Sequence, residues 1–543
     1  MKKLLIIFGL TGCIFSMWSC HKSFLEETPQ SSYTPVTLKD SLGFQAALVG
    51  LYNQLENYYS WSSRQGWPSV WQVGTDVANA TANQEGVEIP YYNYGELTST
   101  DVASQHIWTL NYQMINLTNI ILDNAEASDL TGISENNKKA IEAEAKFFRA
   151  FAYNYLATLY GGVPLVTHAL AGPKTDFTRA SLDSVNQLII ADLEYAKVNL
   201  PDIEDVPSNT NGKMYGRANK FMAMQLLAKV YLRSGQPALA EENTKAIINS
   251  GRFSLVTKRY GVKSEQAGDP FSDMFVYGNE RRNQGNTEAI WVLELENPSS
   301  VVGGVSDNPQ QRRVWGAAYY NISGMVICDS LGGRGIARLR LSNWVLYGLY
   351  QNEDMRNSQY NIRRRYYYND PTNANYGKMV PFTGPDTLFK ICPSTTKWGQ
   401  YDPNDDFGYA MIKDFILMRL GETYLLQAEA QFDQGKLADA AASINVLRAR
   451  AFEDYPTEGK VASGDITMDF ILDERARELI GEENRRMTLM RTKTLVERVN
   501  RLNLNDAQHP VTGVSQTNLL LPIPLDEIQL NKDAVLDQNP GYN

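Results

Sequence analysis

The chain has 543 residues, of which 43% are hydrophobic and 21% charged, with 39 Gly and 22 Pro; this balance excludes collagen-like, low-complexity and disordered classes and leaves a folded protein large enough for more than one core. Its formal charge of −10, from 51 Lys and Arg against 61 Asp and Glu, repels a polyphosphate and argues against nucleic acid as a partner. Aromatic residues reach 11%, among them 30 Tyr and 9 Trp, and rings that join a flat apolar face to a polar edge point to a ligand bound by stacking.

Lys2 and Lys3 precede an apolar run from Leu4 to Phe15 that is too short to span a bilayer and has the layout of a signal peptide, so the mature protein is exported. Two cysteines can end the segment, each preceded by a small residue. Cleavage at Cys13 would leave only Leu4–Leu10 as the apolar region and would expose Ile14, Phe15, Met17 and Trp18; Cys20 is therefore read as the lipidated residue and residues 1–19 as the lipoprotein signal peptide. Their removal takes away two lysines and no acid, which moves the charge to −12. No later stretch holds 18 consecutive apolar residues, so membrane attachment must run through lipid. Of the mature cysteines, Cys328 and Cys392 form a bridge or stay as free thiols; the sequence leaves both open.

Residues 60–100 are irregular and rich in rings, with Trp61, Trp67, Trp71, Tyr91, Tyr92 and Tyr94. Helical periodicity follows. From Ser134, a candidate N-cap, to Tyr160, the residues Ile141, Ala145, Phe148, Ala152, Tyr155, Leu156 and Leu159 recur at three and four positions, and Gly161-Gly162 with Pro164 stops the helix. A helical hairpin occupies Gly216–Ser250 with a turn at Gly235-Gln236-Pro237, and Leu226, Ala228, Gly235, Ala238 and Ala240 recur 200 positions later as Leu426, Ala428, Gly435, Ala438 and Ala440. The hairpin length suits a tetratricopeptide-type unit, with ordinary helical hairpins as the alternative. Between the two hairpins the helical period fades, Asn, Asp and paired glycines multiply, and short β-type runs such as Ile290–Leu293 appear. The chain thus reads as mainly α: tetratricopeptide-like hairpins form a scaffold over 20–251 and 411–543, and a loop-rich ligand-binding region with short β-strands fills 252–410.

Catalytic patterns are weak. The four histidines, His21, His106, His168 and His509, have no zinc-ligand spacing, and Gly332-Gly333-Arg334-Gly335 lacks the ending of a phosphate loop. Asp402, Asn404 and Asp406 resemble the start of a calcium loop, but Gly408 and Lys413 stand in the wrong places. Asp473, Glu474, Glu478, Glu482 and Glu483 alternate with Arg475, Arg477, Arg485 and Arg486 on one predicted helix and read as ion-pair scaffolding rather than a hydrolytic carboxylate pair. Arg363-Arg364-Arg365 followed by Tyr366-Tyr367-Tyr368 reads as a solvated strand or loop whose side chains alternate faces. No metal and no cofactor is implied.

Seven motifs in order carry a resemblance: Phe24-Leu25-Glu26-Glu27-Thr28-Pro29; Glu144–Ala150 with Tyr160-Gly161-Gly162-Val163-Pro164-Leu165; Gly216-Arg217-Ala218; Met418–Ala430; Glu474–Leu479; Pro522-Ile523-Pro524; and Gln538–Tyr542. Together they resemble the SusD/RagB family, with Met487-Thr488-Leu489 departing from its usual pattern, and the first of them supports Cys20 as the lipidated residue. The resemblance implies a non-enzymatic outer-membrane surface lipoprotein built on tetratricopeptide helices. Such a protein binds a nutrient, usually a glycan, as the lid of a SusC-like TonB-dependent transporter; an oligopeptide-binding lid is the alternative. It also implies a ligand site on loops that here contain Asp76, Tyr91, Tyr92 and Tyr94 and, later, Trp315, Tyr319 and Tyr320.

Overall fold

The computed structural model describes residues 38–542 except positions 62, 65, 82–85, 128–129, 300, 302–303, 306–308, 383, 400–410, 456 and 504–509. The signal segment, Cys20 and the acidic stretch 402–408 lie outside the described residues.

Ser134 accepts a hydrogen bond from the Asn137 amide at 3.2 Å and opens the helix Glu135–Tyr160. That bond satisfies one of the amides a helix start leaves unpaired. The predicted stripe is buried at Ile141, Ala145, Phe148, Ala152, Leu156 and Leu159, and Tyr155 is half-buried. Gly161 takes φ +77° to end the helix, and a Cβ on Gly162 would lie 2.3 Å from the Ala180 carbonyl oxygen. Only glycine fits such an approach, which is why the exit reads Gly-Gly.

Seven helices form a row in which each packs on the next: Val102–Ala125, Glu135–Tyr160, Leu182–Asn199, Lys220–Arg233, Pro237–Ile248, Leu420–Asp433 and Leu437–Ala451. The two hairpins 200 positions apart are therefore neighbours. Ala228, Ala240, Ala428 and Ala440 are fully buried where these helices meet, whereas Ala238 and Ala438 face solvent. Small side chains at the meeting points let the helix axes approach closely. Gly235 and Gly435 turn the hairpins at φ +71° and +72°.

The chain leaves this row after Ile248 and rejoins it at Leu420. The loop-rich insertion between is stitched at its ends by the predicted strand: Ala289–Leu293, buried throughout, pairs antiparallel with Phe415–Arg419. A second pair, Ala78–Ala80 with Leu339–Leu341, ties the N-terminal aromatic stretch to the insertion. Among the described residues every sheet has two strands. One continuous core runs from Leu38 to Leu536 and draws on all parts of the chain. A second, smaller core lies wholly within the insertion and gathers Ala317, Tyr319, Met325, Ala337, Tyr366, Val380, Ile391 and Cys392. Cys328 and Cys392 are both free thiols.

Candidate functional site

Five of the seven residues named above as ligand contacts, Asp76, Tyr91, Tyr94, Trp315 and Tyr319, have buried side chains. Asp76 is fully buried. Its carboxylate accepts from Arg485 Nε and Nη2 at 2.8 and 2.6 Å and from Arg498 Nε at 2.7 Å. Burial alone would raise this carboxyl, but the two guanidinium groups outweigh burial and hold it below the usual carboxylate range. Tyr91 donates to Asp101 at 2.8 Å and Tyr94 to the Gly74 carbonyl at 3.0 Å. The Arg486 guanidinium lies over both rings, 4.8 and 5.4 Å from their centres. Trp315 ends a short helix, Gln311–Trp315, and is 1% exposed. Tyr319 lies in the insertion's core, stacked on Tyr366 with ring centres 6.1 Å apart. Its hydroxyl accepts from the Cys328 amide at 3.0 Å. Tyr92 and Tyr320 remain half-buried, and Tyr320 donates to the Gly335 carbonyl at 2.9 Å.

The acidic and basic helix explains how the loops are held. Glu474 and Glu478 on the helix Met468–Leu479 are fully buried, so the ion-pair reading holds. Most partners come from elsewhere in the chain, however, rather than from the same helix. Glu478 accepts from Arg356 at 2.9 Å, from Arg419 at 2.6 Å and from Arg450. Glu474 pairs with Arg356 at 2.9 Å and Arg448 at 3.1 Å, and only Arg477, at 2.8 Å, is an intrahelical partner. Arg356 also holds Asp354 at 2.7 Å. A buried charge this well paired fixes geometry, because losing one partner strands the others in a medium of low dielectric. The helix therefore positions the insertion through Arg356, and the next helix, Arg485–Arg491, holds the N-terminal loop through Arg485 and Arg486.

What faces water is a different set of rings. Tyr347, on the π-helical turn Val345–Leu349, is 75% exposed, and Tyr376 and Tyr367 are 58% and 49% exposed. The stretch 362–368 carries Tyr367 and, through Arg364, touches the turn that carries Tyr347. Ile362–Arg363 pairs with Ser394–Thr395, and Tyr367 pairs with Met379. Its side chains alternate as the sequence reading expects: Tyr366 enters the insertion's core, Tyr367 points out, and Tyr368 packs partly against the same core. Arg364 is half-buried beside Tyr347 and Tyr350. It donates to the Asn357 side-chain oxygen at 2.6 Å, to the Asn357 carbonyl at 3.2 Å and to the Leu346 carbonyl at 3.4 Å. Exposed rings beside a guanidinium and an amide offer apolar faces and directed hydrogen bonds together. Sequence reasoning missed Tyr347 and Tyr376. For Tyr367 the period-two alternation was the usable signal, since a buried Tyr366 forces its neighbour outward.

A separate cleft of about 140 Å³ is lined by Trp71, Tyr155, Trp291, Trp315, Arg419 and Glu482, among others. Among the described residues no group of three or more His, Cys, Asp and Glu side chains is placed to hold a metal ion, and no helix is long and apolar enough to cross a membrane.

Two family models match the chain, one described as the SusD family over residues 338–542 and one as starch-binding associating with outer membrane over 23–232. The chain belongs to the SusD/RagB family. A SusD-like protein, P25, of Formosa agariphila is 28% identical over 95% of each chain, and the starch-binding protein SusD of Bacteroides thetaiotaomicron is 24% identical over 84% of this chain and 82% of its own. Among solved structures, the surface glycan-binding protein A of Bacteroides thetaiotaomicron, in complex with laminarihexaose, superposes with a TM-score of 0.70 at 18% identity, covering 92% of this chain and 99% of its own. The SusD-like fold therefore extends over nearly the whole described chain, insertion included.

Proposed function

We propose that this SusD-like protein is a cell-surface lipoprotein, anchored to the outer membrane through Cys20, that binds an oligo- or polysaccharide and delivers it to a SusC-like TonB-dependent transporter. The observation that carries the reading is the set of exposed tyrosines, Tyr347, Tyr367 and Tyr376, on an insertion braced by buried ion pairs. A pyranose presents C–H faces to a flat ring and hydroxyls to amide and guanidinium groups, and Tyr347 has Arg364, which is bonded to Asn357, close by. The half-buried Tyr320 and Tyr368 extend the aromatic surface at the insertion's own core. Like its family, the protein binds without catalysis. Relatives named for starch and laminarin binding support a glycan as the ligand class. A charge of −12 after signal removal favours a neutral glycan over an anionic one.

The test is calorimetric titration of soluble protein starting after Cys20 against plant, host and microbial glycans and mixed peptides, with chromatography of the recovered ligand. Saturable heat with one glycan class and intact ligand afterwards supports the reading. Binding of oligopeptides with silence towards every glycan replaces it with peptide uptake, and release of reducing ends overturns it.

A further inference from the structure

The helix Val102–Ala125, the extended segment after Pro164 and the C-terminal stretch from Leu525 to Leu536 enclose a second pocket, of about 190 Å³. It lies outside the aromatic loops and shares no lining residue with the cleft beside Trp315. Three rings dominate its wall: Trp108, Tyr112 and Phe177, with Val166 and Leu536 between them. Trp108 and Tyr112 tilt towards each other at 44° with ring centres 4.9 Å apart, and the Tyr112 hydroxyl donates to the Pro164 carbonyl at 2.8 Å. That bond turns the phenol's polar end away and leaves its ring as lining.

Glu527 is the one carboxylate on this wall. Burial and, more weakly, the neighbouring Asp526 push its carboxyl up, and the Trp108 indole, hydrogen-bonded to it, pulls it back in part. The other charges nearby are engaged. Asp526 accepts from Gln105 at 2.8 Å. Arg179 donates to the carbonyls of Gly162, Tyr160 and Asp537 and to Asn539. Lys174 pairs with Asp176 and places its ammonium 5.3 Å from the centre of the Phe177 ring, so that ring already receives a cation. Within the pocket itself no cation faces Glu527 among the described residues.

Aromatic faces attract a cation, a carboxylate directs its N–H donors, and an apolar wall accepts a hydrocarbon stem. We propose that this pocket is a binding site for a small primary amine carrying an apolar stem, with the ammonium at Glu527 and the stem against Trp108, Tyr112 and Phe177. This inference does not depend on what the aromatic loops bind.

The test titrates the intact soluble protein, at about pH 8 so that the amine is charged and the carboxyl ionised, with benzylamine, its uncharged isostere benzyl alcohol, and a lysine blocked at both ends. Benzylamine is expected to saturate, to bind about tenfold or more tighter than benzyl alcohol, and to lose about tenfold in affinity in Glu527→Gln. Equal affinity for benzylamine and benzyl alcohol, or no saturable binding of benzylamine, overturns the site. Saturable binding of the blocked lysine, a primary ammonium on an aliphatic stem, likewise supports the site. Should Glu527→Gln fail to fold, the ratio between benzylamine and benzyl alcohol on the unaltered protein decides the question alone.

Discussion

Arg485 clamps Asp76 with two hydrogen bonds, at 2.8 and 2.6 Å, across 409 positions of sequence. Arg498 adds a third at 2.7 Å, and all three side chains are buried. Asp76 is thus a structural anchor that fixes the N-terminal aromatic loop to the C-terminal helices. Asp76→Asn leaves two guanidinium groups facing one neutral amide, and breaking a buried pair of this kind costs about 3–5 kcal/mol. Urea denaturation is expected to show that loss, while glycan affinity measured on the folded fraction stays within about twofold of the unaltered protein.

Tyr347 and Trp315 should behave as opposites. Tyr347 is 75% exposed and Trp315 1%. Tyr347→Ala is expected to weaken glycan binding by more than ~1 kcal/mol, about fivefold, with the melting temperature nearly unchanged. Trp315→Ala opens a cavity and is expected to cost about 3–5 kcal/mol of folding stability. Calorimetric affinities paired with thermal melts of both variants check the contrast.

The buried carboxylates set the acid limit of the fold. For Glu474 burial favours the neutral form, yet Arg356, Arg477 and Arg448 outweigh it and hold the carboxyl at about 2; Glu422 is held at about 2 against its burial by Lys229 and Arg475. Each folded value lies below the unfolded ~4.3. The stabilisation is therefore complete above the unfolded value and disappears as pH falls towards about 2. Glu294 acts the other way, since burial raises it to about 7 against the pull of Arg281, and Asp414 and Glu296 add to the rise. Its contribution is present at low pH and is lost as pH rises from the unfolded value through about 7. Urea midpoints across pH are expected to fall steeply below about 4 in the unaltered protein, and Glu294→Gln is expected to remove a shallow decline on the way to neutral pH.

Cys392 is buried, and burial pushes its thiol up to about 12, whereas Cys328 is half-buried with its sulfur near Ser330 and Asn369. Since the thiolate is the reactive form, iodoacetamide on native protein is expected to label Cys328 and spare Cys392, with both labelled in denaturant. Intact mass under oxidising conditions is expected to correspond to two thiols.

The frame was legible because its signals are local. Ser134, Gly161-Gly162 and the 200-position recurrence mark ends and meeting points of helices, and period and capping chemistry decide these within a few residues. The loops were not legible to the same degree. Trp67, Tyr91, Tyr94, Trp315 and Tyr319 stand in irregular polar stretches where no period separates the inward from the outward face, so their burial depends on tertiary partners, some of them hundreds of positions away. The Arg486 guanidinium under Tyr91 and Tyr94 is such a partner. The same holds for Glu474 and Glu478: their spacing with arginines along one helix suggested mutual neutralisation, but tertiary packing supplied Arg356, Arg419, Arg448 and Arg450 instead. Tyr347 had no local signal at all, because a π-helical turn is specified by its surroundings rather than by a residue pattern.

The measurement that bears most directly on the proposed function is titration of the soluble protein and its Tyr347→Ala variant with the glycan selected by the array, followed by analysis of the recovered sugar. Saturable binding that weakens about fivefold or more in the variant, with the glycan recovered intact, is the predicted result. Equal affinity of the two proteins would contradict the placement of the site on the exposed tyrosines, and the absence of binding to every glycan would contradict glycan recognition itself.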